Sequence, residues 1–177
     1  MGTLGRVAFL RPCTDADDAF LYDVFCTTWE NQVAALPNPD LAQHLLRIQH
    51  IAQDSRFRSM HPVHERLVVL HEEEPAGRLY VHRDESTIHL IDLTLLPTFR
   101  SLGVGSQVLR HVLAEATELG QPITLRVARR NVRAMRLYTA LGFRLVSMDD
   151  VDNYCEWIPP SDEPAQVLDT VSSHSVP

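Results

Sequence analysis

The chain switches repeatedly between two hydrophobic periods, and the switches mark its elements. Residues 7–13, "VAFLRPC", read as a short strand. Thr14 then stands where a helix N-cap belongs, followed by Asp15, Asp17 and Asp18, where the helix dipole favours negative charge. The spacing predicts a first helix over residues 15–37. Asn38 as cap and Pro39 at the first helical position open a second, with Leu41, Leu45, Ile48 and Ala52 recurring at helical spacing. Residues 65–96 read as three strands, joined first by a turn at "EEEPAG" and then by one at "RDES". "GVGSQVLRHVLAEATELG" returns to the helical period. It has Val104, Val108, Leu109, Val112, Leu113, Ala116 and Leu119 on one face and Gly120 as terminator. A strand "ITLRVA", a helix "NVRAMRLYTALG" and the strands "FRLVSM" and "YCEWI" follow. The order β-α-α-β-β-β-α-β-α-β-β predicts an α/β (α+β) chain with one mixed sheet flanked by helices.

Composition narrows the function classes. The chain has 177 residues, 45% of them hydrophobic and 22% charged, which suits one soluble domain with a core. No apolar run approaches the ~18 residues of a membrane span, so no membrane partner is expected. The N-terminus lacks the apolar core of a signal peptide, and Arg6 stands where a myristoylation signal needs Ser or Thr. Cys13, Cys26 and Cys155 are odd in number and form no CxxC pair, which points to a reducing, cytoplasmic compartment. A net charge of −7 argues against nucleic acid as a partner. "HPVH", residues 61–64, has no Cys, Asp or Glu at ligand spacing beside it, so no metal is expected. The domain is read as residues 1–160. Residues 161–177, "SDEPAQVLDTVSSHSVP", read as a disordered tail on composition.

The stretch "PTFRSLGVGSQVL", residues 97–109, carries candidate chemistry. It sets Arg100, Gly103 and Gly105 between an apolar strand and a helix. The first N–H groups of a helix lack intrahelical partners, and glycine lets a phosphate approach the backbone. Arg100 offers a fork-shaped cation. The junction is therefore built like a pyrophosphate cradle. A Walker loop is excluded, because no lysine is present. The dinucleotide fingerprint is excluded, because Val108 occupies its third glycine position.

Some 25 residues downstream lies "NVRAMRLYTALGF". Together the two stretches resemble the GNAT superfamily of N-acetyltransferases. The Arg/Gln-x-x-Gly-x-Gly/Ala pattern is carried by Arg100, Gly103 and Gly105. The second motif is carried by Asn131, Ala134, Leu137, Tyr138 and Leu141-Gly142-Phe143. The resemblance covers residues 65–158 well and the start of the chain only in layout. It implies a mostly antiparallel sheet of about six to seven strands with about four helices, splayed at an acetyl-CoA site. The backbone of Ser101, Leu102, Gly103, Val104, Gly105 and Ser106 would hold the pyrophosphate. Leu93 and Leu95 would pair with the pantetheine arm as an added strand, opposite a diverging "ITLRVA". Asn131 would lie near the pantetheine or the thioester. Tyr138 matches the usual general acid.

The implied reaction moves an acetyl group from acetyl-CoA, a co-substrate, to a primary amine of a small molecule or peptide by direct attack. An alkylammonium is deprotonated to only about one part in 2,500 at pH 7, a cost of ~4.6 kcal/mol, so a base is useful. Two residues compete for that role, with water as a third choice. His89 matches the strand position at which several members of that family carry the base, and it shares the strand alternation of Ile91, Leu93 and Leu95. Asp92 falls on the opposite face by the same alternation. Acceptor selection falls to "WENQVAALPNPD", "IAQDSRFRSMHP" and "DDVDNYCEW", where Glu30, Asp149, Asp150 and Asp152 face an amine or plain solvent, and Arg56 and Arg58 a carboxylate or none. The competing class is a non-catalytic acyl-CoA sensor of the same fold. A homodimer is left open.

Overall fold

In a computed structural model, which describes residues 9–160, one seven-stranded sheet carries the chain. Its strands are β1 (Phe9–Pro12), β2 (Glu65–His71), β3 (Glu74–Arg83), β4 (Ile88–Leu95), β5 (Ile123–Ala128), β6 (Arg144–Met148) and β7 (Asp152–Trp157). They lie in the order β1-β2-β3-β4-β5-β7-β6, and only the β4–β5 pair is parallel. The helices are α1 (Asp18–Cys26), α2 (Glu30–Ala34), α3 (Pro39–Met60), α4 (Val104–Leu119) and α5 (Val132–Ala140). The mixed, mostly antiparallel sheet is the expected one. The tail, residues 161–177, lies outside the described residues. Among those described, no helix is long and apolar enough to cross a membrane.

Strand alternation puts Leu79 and Val81 of β3, Ile88 and Leu90 of β4, and Ile123 and Leu125 of β5 into the main core. The amphipathic stripe of α4, with Val104, Val108, Leu109, Val112 and Ala116 buried, packs into it. Leu113 is only partly buried there, and Leu119 at the helix end is exposed. Gly120 closes α4 with φ +65°, as a left-handed terminator should.

Three local expectations change. The helix foreseen over residues 15–37 is a 3-10 turn followed by α1 and α2. The Thr27 and Thr28 hydroxyls donate to the Val24 and Phe25 carbonyls at 2.8 and 2.7 Å, which favours a turn over continued helix. The β2–β3 turn is tighter than "EEEPAG": Glu72 and Glu73 alone make it, both at positive φ, and β3 starts at Glu74. The cap on α3 is as expected, with Asn38 accepting from the Asp40 N–H at 2.8 Å. Its apolar stripe is not the buried one: Leu41 and Ile48 are about half exposed. The face turned to the protein carries His50, Gln53 and Phe57, which meet Phe25, Arg78 and Tyr80. Helical period alone cannot say which face a two-sided helix buries.

Gly77 of β3 lies against the end of β4. A Cβ there would come within 2.2 Å of the Thr94 carbonyl oxygen and 2.8 Å of Leu95 Cα. Backbone cannot swing away as a side chain can. Gly77→Ala is therefore expected to destabilise the fold by about 2–3 kcal/mol through forced strand displacement. Thermal denaturation checks it, and an unchanged Tm would show that the strands part freely.

Candidate active site

The β4–β5 ladder is short. It pairs Ile88 with Ile123, His89 with Thr124 and Leu90 with Leu125, and then stops. Beyond that point β4 stays with β3 while β5 stays with β7, so the two strands diverge. A β-bulge sits at the fork: Val81 pairs with Leu90 but Tyr80 with Asp92, which leaves Ile91 as the extra residue. Residues 91–95 and 126–128 then turn one row of backbone groups to an open gap, where an extended chain can add itself as a strand. A cavity of about 630 Å³ opens there, walled by β4, β5, β7 and α5 and roofed by the C-terminal half of α3.

The glycine turn sits at the open end of this gap. Gly103 caps α4 with φ +83°, and Ser101 also has positive φ, at 66°. That path aims the first N–H groups of α4 outward with no side-chain cap on them. A Cβ on Gly103 would touch nothing, so the residue is there for its backbone angle. Gly105 has ordinary helical backbone. A Cβ there would meet Leu95 and Leu137 at 3.6 and 3.7 Å, normal packing distances, so neither backbone angle nor crowding within the protein requires a glycine at 105. The cradle fits an anion such as a pyrophosphate. Arg100 has two partners within the protein. Its Nε donates to the Leu95 carbonyl at 2.9 Å and its Nη2 to the Thr27 hydroxyl at 3.1 Å, tying the turn to β4 and to the end of α1. The Leu95 carbonyl is thus already engaged. Arg133, at the start of α5, donates to the Ser101 hydroxyl at 2.9 Å and puts a cation beside the cradle.

Tyr138 lies on the cavity wall, nearly buried at 8% exposure, with its ring edge-on to Phe143. Burial pushes its phenol well above the ordinary tyrosine range, and the Asp92 carboxylate adds to that. The phenol therefore keeps its proton. Asn131 also lines the cavity, while its side chain caps α5 by accepting from the Ala134 N–H at 3.1 Å. Leu93 lines the cavity as well; Leu95 packs on the core behind it.

The bulge overturns the expected facing of His89 and Asp92. One extra residue between Leu90 and Asp92 inverts the alternation, so Leu90, Leu93 and Leu95 share the core face while His89, Asp92 and Thr94 share the α3 face. Asp92 accepts from Arg78 Nε at 2.6 Å and from the Thr94 hydroxyl at 3.1 Å. Arg78 is 1% exposed and also donates to Gln53 at 2.8 Å, with its guanidinium 5.1 Å from the Tyr80 ring centre. Removing the carboxylate leaves a buried cation unpaired. Asp92→Ala is expected to cost about 3–5 kcal/mol of stability in urea denaturation, and a loss under about 1 kcal/mol would show that Arg78 finds other compensation.

His89 faces the cavity from the closed end of the gap, packed against both His61 and His82 with ring centres 5.3 and 5.7 Å away. Burial lowers the pKa of His61, with the neighbouring histidines adding to it. Of the foreseen acceptor residues, Arg56 and Asp152 line the cavity. Glu30, Arg58, Asp149 and Asp150 do not. Arg58 pairs with Asp54 at 2.9 Å, and Asp149 caps the β6–β7 turn. Sequence reasoning missed Arg78, Thr124 and Arg133. No local pattern marks them, because each acquires its partner from a distant segment. A second depression of about 410 Å³ on α5, with Arg129 and Arg136 on its rim, holds neither His89 nor Tyr138.

A family model described as the acetyltransferase (GNAT) family matches residues 20–143, most of the chain. The chain belongs to that family. It is thus an acetyltransferase, and the splayed sheet is the GNAT fold. Similar solved structures include PaiA N-acetyltransferase from Thermoplasma acidophilum in complex with coenzyme A. It has 18% identity and a TM-score of 0.64, over 85% of this chain and 98% of that one. A histone acetyltransferase HPA2 and related acetyltransferase from Corynebacterium glutamicum has 24% identity and a TM-score of 0.61, over 90% and 99%. YncA, a putative acetyltransferase from Salmonella typhimurium with acetyl-CoA, has 16% identity and a TM-score of 0.53, over 90% and 98%. Among curated proteins, none matches the GNAT chain at a significant level.

Proposed function

We propose that the chain is an acetyl-CoA-dependent N-acetyltransferase acting on a primary amine of a small molecule or peptide. The observation that carries this reading is the gap between β4 and β5, with an uncapped helix start at its open end and the Tyr138 phenol on its wall. The CoA and acetyl-CoA bound to two of the similar structures, and the N-acetyl activity in the name of one, support it.

Acetyl-CoA supplies an activated acyl group. Its pyrophosphate would rest on the backbone of residues 101–106 with Arg133 nearby, and its pantetheine along residues 91–95. The thioester would then point toward the closed end of the gap. There the amine lone pair attacks the carbonyl carbon, the C–N bond forms and the C–S bond breaks. Tyr138 gives its proton to the departing thiolate and regains one from solvent. The ammonium must first lose a proton. His89 is the better base of the two candidates, because protonating Asp92 would strand the buried Arg78. A cytoplasmic location accords with three free cysteines.

The test is thiol release from acetyl-CoA across a panel of primary amines, with the product identified by mass spectrometry. Turnover with acetylation on nitrogen is the expected result. Tight CoA binding with no thiol release on any amine would favour the sensor instead.

A further inference from the structure

His89 is held at both ring nitrogens. Its Nε2 lies 3.2 Å from Asp84 Oδ2, and its Nδ1 lies 2.6 Å from Thr124 Oγ1. Asp84 belongs to the β3–β4 turn, and that turn fixes it. Its Oδ1 accepts from the Ser86 N–H, the Ser86 hydroxyl and the Thr87 N–H at 2.8, 2.9 and 2.9 Å. These donors hold the Asp84 carboxyl well below the usual carboxylate range, so it is ionised and only accepts.

The proton positions follow from this inventory. A carboxylate at Nε2 requires the proton on that nitrogen. Neutral His89 then has its lone pair on Nδ1, and the Thr124 hydroxyl donates to it. The remaining lone pairs of Thr124 Oγ1 are free for a donor from the cavity, which Thr124 lines. Its place in the sheet matters as much. Thr124 is the partner of His89 and lies one residue from the last β4–β5 pair. A chain laid in the gap from the α4 end terminates at that fork.

We propose that Thr124 is a catalytic relay hydroxyl and Asp84 a positioning residue, so that Asp84, His89 and Thr124 form one proton-accepting chain for the acceptor amine. This rests on the N-acetyltransferase reading above. The ammonium, directly or through one water, gives a proton to Thr124 Oγ1 as Thr124 gives its own to His89 Nδ1. The freed amine lone pair forms the C–N bond, and the C–S bond breaks with its electron pair on sulfur. His89 becomes an imidazolium paired with Asp84 and returns its proton to water. The groups facing His89 are His61 from the end of α3, with His64 behind it, His82 from β3, and Asp84. Glu156 of β7 lies beyond Thr124, opposite Arg144 of β6. The Asp84 carboxylate is the one anion in direct contact with the ring among the described residues.

Two measurements test it. Long-range ¹H–¹⁵N spectra of the full chain need no substrate. They are expected to show His89 as the Nε2–H tautomer in the wild type and as the Nδ1–H tautomer in Asp84→Asn, where an amide N–H faces Nε2. The Nδ1–H tautomer in the wild type overturns the relay. In steady-state assays with an amine identified by the panel, Thr124→Val is expected to lower kcat about 100-fold or more, the scale of a lost general base. Thr124→Ser should restore most of it, and calorimetric acetyl-CoA affinity should stay unchanged in both. Asp84→Asn should also lower kcat with the Nδ1–H tautomer in place and acetyl-CoA affinity unchanged; a merely structural role would lower the rate with the Nε2–H tautomer kept. Wild-type kcat in Thr124→Val, with the wild type active on amines, overturns the relay alone. A wild type that binds acetyl-CoA but acetylates no amine overturns the function and the relay together.

Discussion

Tyr138→Phe is expected to lower kcat by about 10²–10⁴-fold, the range of a lost general acid, while KM for acetyl-CoA changes little. The substitution keeps the ring, and so keeps its edge-on contact with Phe143 and its place among buried neighbours. Only the hydroxyl goes. The loss then falls on the step in which sulfur departs, because the ground state binds the thioester without that proton. The raised pKa of the buried phenol adds a second signature. A group whose pKa is raised stays protonated to higher pH, so Tyr138 should contribute no basic limb to kcat below the ordinary tyrosine value of about 10. Steady-state kinetics over pH, with chemistry shown to be rate-limiting by single turnover, provide the check. Near-wild-type kcat in the Phe variant would reduce Tyr138 to packing.

Substitutions at the two turn glycines are expected to cost at least about 100-fold in CoA affinity, but for different reasons. Gly103→Val forces a β-branched residue to φ +83°, so the turn must change path and its N–H groups lose their aim. Some stability goes with it. Gly105→Val is the cleaner variant. Its Cβ has room in the protein itself, at ordinary distance from Leu95 and Leu137, and valine is a better helix former than glycine. Its fold should therefore hold while affinity falls, because the branched methyls reach beyond the Cβ into the approach to the helix N–H groups; alanine, which the Gly/Ala pattern admits at this position, should keep CoA binding. Calorimetry with CoA, alongside thermal denaturation, separates the two cases. Unchanged affinity in a folded Gly105→Val variant would move the pyrophosphate away from this helix start.

The pair of predictions also separates what was legible in the sequence from what was not. Gly103, Gly105 and Tyr138 stand in short motifs whose chemistry is local: a backbone angle, a helix start, a phenol on an amphipathic helix. Arg100 stands in the same motif, yet its guanidinium also bonds Leu95 and Thr27. Nothing near Arg100 in the chain announces Thr27, which folds back from the end of α1.

The sequence by itself determined the order of the strands and of the helices from α3 onward, the caps at Asn38 and Gly120, the buried stripe of α4, and the glycine turn. Each depends on residues within a few positions of one another, where period and turn chemistry act directly. Tertiary structure alone decided the rest. The bulge at Ile91 exists only because β3 and β4 pair with one residue to spare, and it moved Asp92 onto the face of His89. The inner face of α3 was chosen by Arg78 and Tyr80 rather than by its leucines. The contacts of His89 with Asp84 and Thr124 join a turn and a neighbouring strand across the sheet. Hydrophobic period records which side chains prefer burial. Strand register and long-range pairing decide which polar groups meet, and the chemistry of this site depends on those meetings.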